Sequence, residues 1–257
     1  TRDVDHVAAI NAHGLLLDDG QQQRTVDVTA SVDHDPVREF DLVIVLVKSF
    51  DTAAAIDAAR PIIGADTAVL SLQNGVGCEE IIASALGRER VIAGRTFVGG
   101  RIVEPGVVEY GITGRRTVIG ELDGTITPRI ARIADLFRTA GLETDISDDI
   151  VSMMWEKLFV NVATGALSAL TRLPYGELSI DRDVERCALA AVTEAIAVAR
   201  AIGVAVVTTD PAAPWRRAWE GLPYGFKNSM LQSIEKGSRT EVDVITGAVC
   251  SAGRSAN

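Results

Sequence analysis

The chain has 257 residues, 47% of them hydrophobic, which suits one large or two ordinary domains with a real apolar core. A net charge of −10 and a pI of about 4.8 argue against nucleic acid or an anionic membrane as the main partner, and toward small-molecule chemistry. The apolar runs fall short of the roughly 20 residues that span a bilayer, and no signal-peptide pattern opens the chain. Cys78, Cys187 and Cys250 are widely separated and read as reduced thiols in a cytoplasm. His6, His13 and His34 lack metal-ligand spacing, so no metal site is expected.

The first half alternates between strand-like and helix-like segments. Residues 42–47 form a continuous β-branched run, as expected of a parallel strand covered on both faces. A helix over 52–59 stops near Pro61, a second buried strand covers 68–72, and a second helix over 79–86 ends at Gly87. Val91 begins a third strand. This order implies right-handed crossovers and a Rossmann-type, doubly wound α/β sheet. Residues 96–120 break into short extended pieces, including 107–110 and 117–119, between glycines 99, 100, 106, 111 and 114. They are expected to be antiparallel strands or hairpins at the sheet edge. A helix follows over 128–140, with Gly141 as its stop.

From Ser147 onward only helices are expected, over 148–170, 183–202 and 224–252, with Ser147 as the first N-cap and Asp148 and Asp149 at the positive helix end. The turn Leu173-Pro174-Tyr175-Gly176-Glu177 separates the first two. The expected units are residues 1–147, dinucleotide-binding, and 148–257, an all-helical substrate and catalytic domain.

Three clusters could carry chemistry. Lys157 and Asn161 stand at i,i+4 in the run 153–161, so one helix face carries both an ammonium and an amide amid Met, Trp, Leu, Phe and Val. Partial burial would lower the lysine pKa and make it an acid usable near neutrality; the plainer reading is a snorkelling lysine and a satisfied asparagine. Lys48 and Asn74 follow directly on two parallel strands, where open α/β sheets bind ligands. Asn74 opens Asn-Gly-Val-Gly, whose glycines permit a tight turn and close approach of a ligand, though an ordinary strand-to-helix turn would look the same. Ser229, Ser233, Lys236 and Thr240 follow roughly helical spacing, with Glu241 and Asp243 just beyond. They read either as a solvated face or as the source of a carboxylate, Glu241, that partners Lys157.

Together these pieces resemble the ketopantoate reductase (2-dehydropantoate 2-reductase) family. The matching runs are 45–48, 73–77, 155–161, 174–178, 229–232 and 239–243, in the family's order and at similar spacing over nearly the whole chain. The resemblance implies a Rossmann-type NADPH domain, an all-helical second domain and, within pantothenate biosynthesis, reduction of a 2-oxo acid to a 2-hydroxy acid. It assigns Lys157 as general acid. It puts Asn74 against both cofactor and substrate, Lys48, Gly100 and Glu241 on the cofactor side, and Asn161 and Ser229 on the substrate side. Arg2 resembles the arginine that holds the 2′-phosphate of NADPH. The implied partners are small molecules, with no nucleic acid or membrane, and a homodimer is left open.

The chain departs from the family pattern in three ways. It contains no G-x-G-x-x-G; the first strand and phosphate loop should precede Arg2. Gly165 and Tyr175 stand where the family carries substrate-side asparagines. The family also usually continues with another helix beyond the one that contains Glu241. Two other functions stay open: a different dehydrogenase of the 6-phosphogluconate/3-hydroxy acid dehydrogenase superfamily, and a non-catalytic dinucleotide-fold protein.

Overall fold

The computed structural model describes residues 3–33, 39–111 and 116–256; Arg2, His34 and Gly114 lie outside them. Helix α1 (Val4–His13) starts where the Asp3 side chain accepts from the His6 amide, and it stops at Gly14, whose φ of 78° ends the helical path. Strands β1 (Leu15–Asp18) and β2 (Gln23–Val26) form a hairpin. Then come β3 (Leu42–Val45), α2 (Thr52–Ala59), β4 (Ala68–Ser71), α3 (Cys78–Leu86) and β5 (Val91–Thr96). Strands β6 (Gly99–Glu104), β7 (Val107–Gly111) and β8 (Thr117–Glu121) lead to α4 (Pro128–Thr139) and β9 (Thr144–Ile146).

The main sheet runs β3-β4-β5-β8-β9, with the first three strands parallel, β8 antiparallel to β5, and β9 parallel to β8. On one face α4 packs Ile130, Ile133, Ala134 and Phe137 onto Leu70, Ile92 and Ile119. On the other, Ile56 of α2 and Ile82 of α3 cover Val45, Val69 and Val91. Helices on both faces make the sheet doubly wound. A second sheet, β2-β1-β7-β6, stands beside it. Buried His6 ties α1 to this sheet: its Nδ1 accepts from the Gly106 amide at 2.9 Å.

Among the described residues β3 pairs with β4, and Val45 is buried beneath α2 and α3. One expectation for this half needs correction. The pieces within 96–120 divide. Strands β6 and β7 belong to the second sheet, whereas β8 pairs inside the main one, because its Val118 and Ile119 are needed in the core.

The remaining elements are helical: α5 (Ile150–Thr171), α6 (Tyr175–Leu178), α7 (Arg182–Ala201), α8 (Ala212–Arg217), α9 (Ser229–Glu235) and α10 (Thr246–Ser255). Asp149 rather than Ser147 caps α5, accepting from the Ser152 amide at 3.2 Å; the Ser147 hydroxyl accepts from the Asp149 amide instead. Helix α5 buries Trp155, Leu158, Phe159 and Val162 against Val192, Ala195 and Ala199 of α7 and Trp215 of α8. Its first turns also pack Ile150 and Met154 on Ala93 and Val118, locking it to the sheet. The helix expected over 224–252 is two helices. Asn228 caps α9 by accepting from the Met230 and Leu231 amides. Gly237, at φ 64°, follows its end and turns the chain out. The single turn Val242–Val244 then precedes α10. Among the described residues no helix is long and apolar enough to cross a membrane.

Candidate active site

The site lies where the carboxyl ends of the parallel strands meet α5. Lys157, in the middle of α5, reaches across to the sheet. Its Nζ donates to Asn74 Oδ1 at 2.8 Å, beyond the end of β4, and to the Thr96 carbonyl at 2.7 Å, at the end of β5. An ammonium has three protons, and two are used here. Nζ also sits 5.4 Å from the centre of the Phe97 ring. Burial and the neighbouring Arg95 charge lower the Lys157 pKa to about 8, against a smaller opposing pull from Glu241. That value suits a group that gives up a proton near neutrality.

Glu241 is not the hydrogen-bonding partner of Lys157. Its Oε2 accepts from Lys48 Nζ at 3.0 Å and its Oε1 from the Ser49 amide at 3.1 Å. The break between α9 and α10 delivers Glu241, 6% exposed, to the end of the first parallel strand. It acts on Lys157 only through its field. Lys48 itself keeps 45% of its side chain exposed.

The Asn74-Gly75-Val76-Gly77 turn also does something that spacing alone did not reveal. Gly75 has φ 86°, and a Cβ there would sit 2.3 Å from the Val244 carbonyl oxygen. The Val76 amide donates to that same carbonyl at 3.1 Å. The close approach at Gly75 is therefore to the C-terminal segment of the chain itself. Gly77, at φ 102°, has open space where its side chain would be.

Asn161, one turn along α5, lines two cavities. One, of about 170 Å³, also takes in Asn74, Thr164, Gly165, Tyr175, Asn228 and Ser229. The other, of about 790 Å³, runs from Lys157 and Asn161 past Phe97 and Tyr175 to Arg95 and Arg217. Ser229 is exposed at the first turn of α9 and faces the smaller cavity. Buried Tyr175 shares a 3.1 Å hydrogen bond with the Thr164 hydroxyl and packs against Phe226 with ring centres 5.3 Å apart. Gly165 leaves room filled by Met230, whose methyl lies 3.3 Å from a Cβ built there. Gly100 lies on β6 opposite Tyr110; its neighbour Gly99, not Gly100, lines the larger cavity. Arg2 is outside the described residues.

Three contributors went unseen in the sequence. The Thr96 carbonyl, the Phe97 ring and the Arg95 guanidinium all follow from β5. The rule that picked out Lys48 and Asn74, polar residues at the carboxyl end of a parallel strand, would have found Arg95 as well. Glu156 is the fourth surprise: it is buried, accepts from the Val207 and Thr208 amides at 2.9 Å each and from the Thr208 hydroxyl, and so pins the loop after α7 beside the lysine helix.

The family model for Ketopantoate reductase PanE/ApbA matches residues 1–124, and that for its C-terminal part matches residues 149–257. The 2-dehydropantoate 2-reductase of Halobacterium salinarum is 37% identical over 249 residues, 95% of this chain and 80% of that protein. A PanE/ApbA family ketopantoate reductase from Ralstonia eutropha superposes with a TM-score of 0.86 at 36% identity, over 98% of this chain and 82% of that one. The 2-dehydropantoate 2-reductase of Geobacter metallireducens gives 0.88 at 28% identity, over 97% and 83%.

Proposed function

Because the chain belongs to the ketopantoate reductase family, we propose that it reduces a 2-oxo acid to the 2-hydroxy acid with NADPH, Lys157 supplying the proton. The observation that carries this reading is the lysine's setting. A partly buried ammonium of lowered pKa is fixed by Asn74 Oδ1 and the Thr96 carbonyl, with its third proton left for a ligand in the adjoining cavity.

The residues present fit the reactive half of a nicotinamide dinucleotide. Asn74, Thr96 and exposed Lys48 stand at the carboxyl ends of three parallel strands, and the left-handed Gly77 leaves the start of α3 open to close approach. Lys48, Asn74, Gly100 and Glu241 are the residues proposed to hold it, with Arg2 on a 2′-phosphate. When bound, the dinucleotide supplies hydride to the substrate carbonyl carbon. Lys157 gives its proton to the carbonyl oxygen, and its charge stabilises the oxygen as negative charge develops there. Asn74 keeps Nζ aimed, Glu241 holds Lys48 and favours the charged lysine from a distance, and Asn161 and Ser229 bind the substrate's polar groups.

We assign residues 1–147 to cofactor binding and 148–257 to substrate and catalysis, in a cytoplasmic enzyme. The test is NADPH oxidation, with NADH in parallel, by protein expressed from its complete reading frame and given a panel of 2-oxo acids that includes ketopantoate. Loss of 2-oxo-acid-dependent oxidation in every case would end the proposal. The Lys157 and Asn161 pair on α5 also suits one second reading, a different dehydrogenase of the same superfamily; 3-hydroxy acids with NADP⁺ in the same assay distinguish it.

A further inference from the structure

The larger cavity is rich in positive charge. Besides Lys157 it is lined by Arg95, Arg116 and Arg217, with Glu220 as its lining carboxylate. Arg116 is already engaged, by Asp145 at 2.7 Å and Glu143 at 3.4 Å. Among the described residues neither Arg95 nor Arg217 has a carboxylate partner within ion-pair distance. Arg95 gives one hydrogen bond, from Nη1 to the Met153 carbonyl at 3.2 Å, and its buried Nε has no acceptor among the described residues. The other carboxylates that share a cavity wall with the two arginines are already occupied: Glu156 by the Val207 and Thr208 donors, Asp149 by the Ser152 amide, and Asp210 by the Ala212 amide and Arg216. Arg217, in the last turn of α8, adds a second guanidinium whose charge Arg95 feels as repulsion. Like charges gathered around one cavity cost energy unless an anion joins them.

The position of the pair is informative. The Arg95 guanidinium carbon and Lys157 Nζ lie 5.7 Å and 5.4 Å from the centre of the same Phe97 ring. Arg217 lines the same cavity as Lys157, Phe97 and Arg95, so a ligand whose carbonyl meets Lys157 can present a remote group to the two arginines. Guanidinium forks match carboxylate or phosphate oxygens, and a pair of them is suited to a full negative charge rather than a hydroxyl.

We propose that Arg95 and Arg217 form an anion-binding subsite that takes a second negatively charged group on the substrate, so that the preferred substrate is a 2-oxo acid with an anionic tail. This rests on the reductase reading above for the word substrate, but the subsite can be tested without turnover.

Two measurements settle it. The first compares kcat/KM for 2-oxopentanedioate with that for 2-oxohexanoate, which has a neutral tail of like length. The diacid should be preferred by about tenfold or more, the worth of one charge-assisted hydrogen bond. R95M and R217M should each collapse that ratio, and R95K should recover part of it, which a purely structural role would not produce. The second is calorimetric titration with glutarate, which has two carboxylates and no carbonyl to reduce. The wild type should bind it, and the double variant R95M/R217M, shown to be folded by circular dichroism, should bind it about tenfold more weakly or worse. Arginine-dependent glutarate binding without reduction of any 2-oxo acid would keep the subsite and overturn the reductase reading. Reduction without diacid preference, or glutarate binding indifferent to both arginines, would overturn the subsite and leave the reductase reading standing.

Discussion

Lys157→Met keeps an apolar stem of similar length and removes the charge, so it separates the lysine's two effects. In the folded protein its pKa is about 8, against an ordinary 10.5. Between those values the unfolded chain binds more protons than the folded one, so stability rises with pH across that window. A difference of this size corresponds to about 3 kcal/mol. The folded protein thus bears a cost below pH 8 for holding a charged lysine there, and the cost disappears above 10.5. Removing the ammonium also leaves Asn74 Oδ1 and the Thr96 carbonyl without their donor, at about 1–3 kcal/mol. These opposing terms make absolute stability at pH 7 a poor readout. The slope is a good one. Denaturant unfolding at intervals from pH 7.5 to 10.5 should show wild-type stability climbing relative to the variant. Turnover should tell the same story from the other side: the wild-type rate should fall about tenfold per pH unit above 8 as the acid is lost, and K157M should lose a factor of about 10² or more at pH 7. Parallel stability curves for the two proteins, or a wild-type rate that stays flat to pH 10, would refute the reasoning.

Other substitutions probe the surrounding frame. Glu79, 2% exposed at the start of α3, has its pKa raised to about 7 by burial, from an ordinary 4.5. The folded state holds the extra proton, so this contribution is full below pH 4.5 and fades as pH rises through 7; E79Q should flatten that decline, worth up to about 3 kcal/mol, and an unchanged pH–stability curve would remove Glu79 as its source. G75A forces a side chain into the left-handed region and against the Val244 carbonyl, so thermal unfolding should show a loss of about 3 kcal/mol or more. G77A meets only the backbone strain, about 1–2 kcal/mol, and equal losses at both positions would contradict the packing explanation. G165N should raise kcat/KM for ketopantoate, because the neighbour it meets is the flexible end of Met230 and asparagine suits a helix better than glycine. An unchanged or lower value would show that other residues already make the missing contact.

Periodicity and punctuation were enough to read the order of β3, α2, β4, α3 and β5, because each is a short local pattern closed by Pro61, Gly87 or a change of period. The i,i+4 spacing likewise put Lys157 and Asn161 on one helix face, since helix geometry requires it. What was not legible depends on contacts far apart in the chain. The segments 4–13 and 212–217 carry helices without a strong apolar stripe, so only packing reveals them. The break after Gly237 is one left-handed residue, and it decides that Glu241, 193 positions from Lys48, meets that lysine rather than Lys157. The lysine's own partners are a side-chain oxygen 83 residues away and a main-chain carbonyl 61 residues away. A backbone carbonyl has no signature in the sequence, so its role in aiming Nζ belongs to the tertiary structure alone.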